Sequence, residues 1–137
     1  MNKLLFILLF PISVFSQYIP GEDTIIVDPI KYMHELLNEY RVENGLDTLA
    51  LDTNRTRLAQ EWAEYLDTTN QLYHSGYGAE NCLYGSPLGE FASMMYIKGT
   101  LRTWKKSPGH NRNLLDPSHS VVGYGYHGNI AVMLFGI

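Results

Sequence analysis

The chain has 137 residues with 10 Lys+Arg against 14 Asp+Glu, 45% hydrophobic and 18% charged, which fits one globular domain with a single core and argues against a disordered tail or a repeat array. A formal charge of -4 argues against nucleic acid as a partner, since a phosphate backbone is met by a Lys/Arg surplus that this chain lacks. The single cysteine, Cys82, excludes by count both an intrachain disulfide framework and a multi-thiolate zinc site.

Met1-Asn2-Lys3, the apolar run from Leu4 to Ile12 and the small residue closing Val14-Phe15-Ser16 read together as a secretory signal peptide over residues 1–16, cleaved near Ser16 and Gln17. Pro11 interrupts the apolar run, which is short of the roughly 20 residues a spanning helix needs, so no stable membrane insertion is expected after cleavage. The expected location is secreted or periplasmic. Residues 17–27, with Pro20-Gly21 and Glu22-Asp23, form a short leader, and residues 28–137 form a single domain.

Asp28-Pro29 pairs an N-cap carboxylate with proline at the first helical position, and Ile30, Met33, Leu37 and Tyr40 then recur on one helical face until Asn44-Gly45. Asp52-Thr53 caps a second helix whose Leu58, Trp62, Tyr65 and Leu66 share a face, ending at Thr68-Thr69-Asn70. Residues 71–86 show no regular period; Gly76, Gly78 and Gly85 mark an irregular loop carrying His74, Glu80 and Asn81. Ser86-Pro87 opens a third helix with Met94, Ile97, Leu101 and Trp104 on one side and Lys98, Arg102, Lys105 and Lys106 mostly on the other. That helix stops at Ser107-Pro108-Gly109, which delivers His110 just after the break. Ser120 to Tyr126 and Asn129 to Phe135 are apolar, β-branched and aromatic runs joined by His127-Gly128, a hairpin whose strands are covered on both faces. Helices flanking a small, mainly antiparallel sheet give an α/β (α+β) fold arranged as a three-layer α-β-α sandwich.

His74-Ser75, Ala79-Glu80-Asn81, Trp104, Ser107-Pro108-Gly109-His110 with Asn113, and the closing Val122-Gly123-Tyr124-Gly125 and Phe135-Gly136 stand in an order that resembles the CAP superfamily. That superfamily groups cysteine-rich secretory proteins, venom allergens and pathogenesis-related plant proteins. The resemblance runs from Asp28 to Ile137, and the histidine-proximal segment is similar to the short bacterial branch. It implies an α-β-α sandwich with a central cleft lined by two histidines and two acidic residues, which in some members takes a divalent metal such as zinc. By that resemblance the cleft residues are His74, Glu80, Ser107 and His110, with Asn81, Trp104 and Asn113 as structural support. The metal ligands it implies are His74 and His110, with Glu80 as ligand or supporting partner. Ser107 stands where the family carries its second glutamate, and Ala79 where it carries a glycine.

Two neutral imidazoles, a carboxylate and water make a suitable zinc site, so the missing second carboxylate does not abolish metal binding, but it removes a candidate base. Three functions are open. The first is a secreted binding module whose His/Glu cleft holds zinc or another divalent cation and meets a small lipid-like or peptide ligand or an extracellular protein partner. The second is a metal-dependent hydrolase with Glu80 as its base, the one residue nominated for catalysis. The third is a purely structural extracellular domain, with the loop residues acting as a hydrogen-bonded clamp. Ser107 is expected to serve a turn or helix cap, Cys82 to pack as a small hydrophobe with a reactive thiol as the alternative, and the α-helical basic cluster to face solvent. His34, His119 and His127 receive no special role.

Overall fold

The computed structural model describes residues 28–85 and 94–137; the expected signal peptide over 1–16, the expected leader over 17–27 and the helix opening expected at Ser86-Pro87 lie outside them. Helix α1, Pro29–Glu43, starts where Asp28 accepts from the backbone N–H groups of Ile30 and Lys31, and it ends at Asn44. Gly45 then turns the chain at φ 74°, a left-handed backbone that suits glycine. Strand β1 is only Ala50–Leu51. Helix α2, Thr53–Thr69, is capped by the Asp52 carboxylate, which accepts from Arg55 N at 2.6 Å, and it closes on Asn70 at φ 51°.

Strand β2 is Glu80–Tyr84, helix α3 is described as Met94–Lys106, helix α4 is Pro108–Leu114, and the chain closes with strands β3, Val121–His127, and β4, Ile130–Gly136. Three expectations change here. The segment expected to be an irregular loop over 71–86 contains β2, because Glu80 to Tyr84 pair antiparallel with Leu134 to Ile130. The β-hairpin turns on Gly128-Asn129, one residue later than expected, since His127 still pairs with Ile130 and it is Gly128 that takes the positive φ of 50°. His110 is not simply past a break: it sits in the first turn of α4, which Pro108 opens.

The four strands lie in the order β1-β3-β4-β2, with β1 parallel to β3 and the other pairs antiparallel. Every residue of β4 is buried, as a central strand covered on both faces requires. On one face Ala59, Ala63 and Leu66 of α2 join Cys82, Ile130, Val132 and Leu134. On the other, Met33 and Leu37 of α1, Ile97, Leu101 and Trp104 of α3 and Leu114 of α4 join Val122, Tyr124, Met133 and Phe135. These are the three expected layers. Gly123 and Gly125 let α2 lie close on β3: a Cβ at Gly123 would stand 2.2 Å from Thr56 N, and one at Gly125 2.2 Å from Ala59 C.

Candidate functional site

Two anchors set the position of α4, and so of His110. Arg41, almost wholly buried on α1, donates from Nη1 to the carbonyls of Leu114 at 2.9 Å and Asp116 at 3.0 Å, and from Nε to Asp47 O at 2.8 Å. Tyr40 donates its hydroxyl to Asn111 Oδ1 at 2.9 Å, while Lys105 Nζ lies 3.7 Å above the Tyr40 ring. The same helix is latched to the edge strand β2. Asn113 Nδ2 donates to Glu80 O at 3.2 Å and to Asn81 Oδ1 at 3.0 Å, and Asn81 Nδ2 donates to His110 O at 3.1 Å. Asn81 is fully buried, so this amide network satisfies polar groups that would otherwise be left bare. Trp104, also fully buried, belongs to the same core cluster as Leu114 of α4.

Strand parity turns Glu80 and Cys82 to the same face of β2, the face that α2 covers. The loop between α2 and β2 uses Gly76 and Gly78, both at positive φ, to fold back over the start of the strand. It brings His74 and Ser75 onto the Glu80 carboxylate. Oε1 meets His74 Nδ1 at 2.8 Å and accepts from Cys82 Sγ at 2.8 Å; Ser75 N donates to both oxygens at 3.2 Å, and the Ser75 hydroxyl donates to Oε2. The Glu80 side chain is 2% exposed, whereas that of His74 is 67% exposed. The thiol of Cys82 is pushed far up by burial and by the adjoining carboxylate, so it stays protonated beside Glu80.

His110 Nδ1 shares a 2.9 Å hydrogen bond with Ser107 Oγ. Ser107 occupies the N-cap position of α4, yet its side chain makes no cap bond and serves His110 instead. Burial, and next the charge of His74, hold the His110 imidazole below its usual pKa, which favours the neutral ring that can act as a ligand. The two histidines therefore lie within electrostatic reach of each other. Among the described residues, His74, Glu80 and Cys82 form a group whose ligand atoms all fall within 4.8 Å of one another; His110 stands outside that group.

The site lies where the edge strand β2 meets the α2–β2 loop and α4. A cavity of about 450 Å³ is lined by Glu35, Asn38, Glu39, Val42, Glu43 and Thr48, and one of about 230 Å³ lies between α1 and α3 beside Lys98 and Arg102. Neither includes His74, Glu80 or His110. Two contributors were given no place at the site by the sequence. Ser75 supplies three of the contacts to Glu80, and its only sequence signal is adjacency to His74. Cys82 has the two-residue offset from Glu80 as its signal, which becomes readable only once 80–84 is known to be a strand.

Residues 34–131, well over half of the chain, match the family model described as the CAP, or cysteine-rich secretory protein, family, and the chain belongs to that family. Solved structures agree at the level of fold. An extracellular protein from Bacillus anthracis containing an SCP domain superimposes with a TM-score of 0.66 at 18% identity, covering 78% of this chain and 39% of that one. A cysteine-rich secretory protein from Staphylococcus aureus gives 0.58 at 19% identity, covering 78% and 37%. An outer surface protein from Borrelia burgdorferi gives 0.62 at 19% identity, covering 77% of this chain and 90% of that one. This chain thus spans about two fifths of the length of the first two relatives. No curated protein sequence matches it.

Proposed function

We propose that this chain is an exported binding module whose edge site, built on His74, Glu80 and His110, holds a divalent cation and presents a docking point for a small lipid-like or peptide ligand or for a protein partner. Export is supported by the signal-like residues 1–16 and by relatives described as extracellular and outer-surface proteins. Among the described residues, no helix is long and apolar enough to cross a membrane.

The observation that carries the reading is the Glu80 carboxylate. It is buried, and among the described residues its only ion-pair partner is His74, with no Lys or Arg beside it. Hydrogen bonds from Ser75, Cys82 and His74 hold the carboxylate in place, and a bound divalent ion would add the fixed positive charge that hydrogen bonds alone do not supply. Both oxygens already accept hydrogen bonds, and the side chain is almost closed to solvent, so Glu80 is badly placed to take a proton from a water nucleophile. This favours binding over hydrolysis.

The test is a calorimetric titration of the purified protein with zinc, near neutral pH and at mildly acidic pH, with His74→Ala and His110→Ala as controls. Zinc must displace protons from its ligands, so binding is expected to weaken in acid, and each substitution is expected to weaken it at least about 10-fold. Binding that is absent, or indifferent to both substitutions, overturns the proposal and favours a purely structural clamp.

A further inference from the structure

We propose that Cys82 is a direct ligand of the cation, so that the site is an imidazole, carboxylate and thiolate set that selects thiophilic divalent ions. The inference rests on the reading that this edge of the domain takes a cation, and it adds the ligand that decides which one.

Three observations support it. Cys82 Sγ and His74 Nδ1 both stand 2.8 Å from the same oxygen, Glu80 Oε1, so three different donor atoms converge on one spot. Glu80 and Cys82 are held there by the strand itself, each in register with a buried residue of β4, Leu134 and Val132. The thiol is buried at 5% exposure next to a carboxylate, in a position where it packs against apolar residues but also touches the one buried acid of the site.

The chemistry fits one class of ion. Together with the neutral imidazoles of the site, a thiolate and a carboxylate carry two negative charges, which a single divalent cation balances. Zinc takes sulfur at about 2.3 Å and nitrogen or oxygen at about 2.0 Å, which sets tetrahedral ligand atoms roughly 3.5 Å apart, so the present spacing must open by less than about 1 Å. The exposed His74 side chain is free to make that adjustment, while Ser75 keeps its hold on the second oxygen of Glu80. Magnesium and calcium prefer sets made wholly of oxygen and gain nothing from the sulfur. Binding exchanges the thiol proton for the metal: the S–H bond breaks, the sulfur–metal bond forms, and the proton leaves to solvent.

The experiment is a cobalt(II) titration of the purified protein followed by absorption. A near-ultraviolet thiolate-to-cobalt charge-transfer band is expected in the wild-type protein, saturating with the visible cobalt bands, erased by zinc and unaffected by magnesium. In Cys82→Ala and Cys82→Ser the band is expected to vanish and zinc affinity to fall at least about 10-fold, with circular dichroism checking that both variants fold. Because the band is read in the unmodified protein, the proposal does not depend on either variant folding. Cobalt bound with its visible bands but without the thiolate band overturns the role of Cys82 and leaves the cation reading standing. No binding of cobalt or zinc at all overturns both.

Discussion

His119 lies flat against Phe135, ring centroids 4.9 Å apart and planes 18° apart, with both ring nitrogens buried and unpartnered among the described residues. Burial is the main reason its pKa sits below the usual histidine value; Asp116 opposes the shift, and the guanidinium groups of Arg41 and Arg55 add to it. The sign follows directly. Below the unfolded-state value of about 6.5 the unfolded chain takes up a proton that the folded ring resists, so stability falls as pH drops from there toward the lower folded-state value. Urea midpoints measured between neutral pH and about pH 5 are expected to fall less steeply in His119→Gln than in the wild-type protein. Equal slopes would remove His119 from the acid response, leaving His110, whose shift has the same direction. His119 carried no signal in the sequence, because its stacking on Phe135 is a contact between segments that only the fold brings together. His74, Glu80 and His110 were legible only through the order of motifs around them, whereas the contact between Cys82 and Glu80 needed the strand.

The elements of this fold differ in how locally they are specified. Asp28-Pro29 and Asp52 predict their helices because a cap acts within a few residues, and both caps are found in place. Strand β2 is different: Glu-Asn-Cys-Leu-Tyr shows no alternation, since the strand exists through its pairing with β4 some fifty residues on, and no local pattern reports that partner. The glycines of β3 follow a third logic, the close approach of α2. A methyl group at Gly125 would meet the Ala59 backbone, which cannot move without shifting the helix. Gly125→Ala is therefore expected to cost at least about 3 kcal/mol in urea unfolding, at the upper end of ordinary overpacking. Gly109→Ala is the matched control, because a Cβ there meets open space. A Gly125→Ala variant as stable as that control would mean that α2 does not sit against β3 as described.

At the scale of the whole molecule, a sheet with an apolar cluster on each face carries the fold, and with one cysteine it does so without an intrachain disulfide. The candidate site lies away from the middle of both clusters, where the edge strand meets a glycine-bearing loop and the short helix α4. Such edges open at lower free energy than the core, so a cation that joins His74 of the loop to Glu80 of the strand stabilises the part of the molecule that opens first. Any ion that binds only the folded state also raises global stability by mass action. Zinc at about 100 times its Kd is expected to add about 2.7 kcal/mol. For a domain of this size that is a rise in Tm of roughly 10 °C. Differential scanning calorimetry with and without zinc measures this, and the rise is expected to disappear in His74→Ala. A rise of the same size in that variant would locate the metal elsewhere, with the His127–Asp67 pair, 3.2 Å apart at the hairpin end, as the next site to substitute.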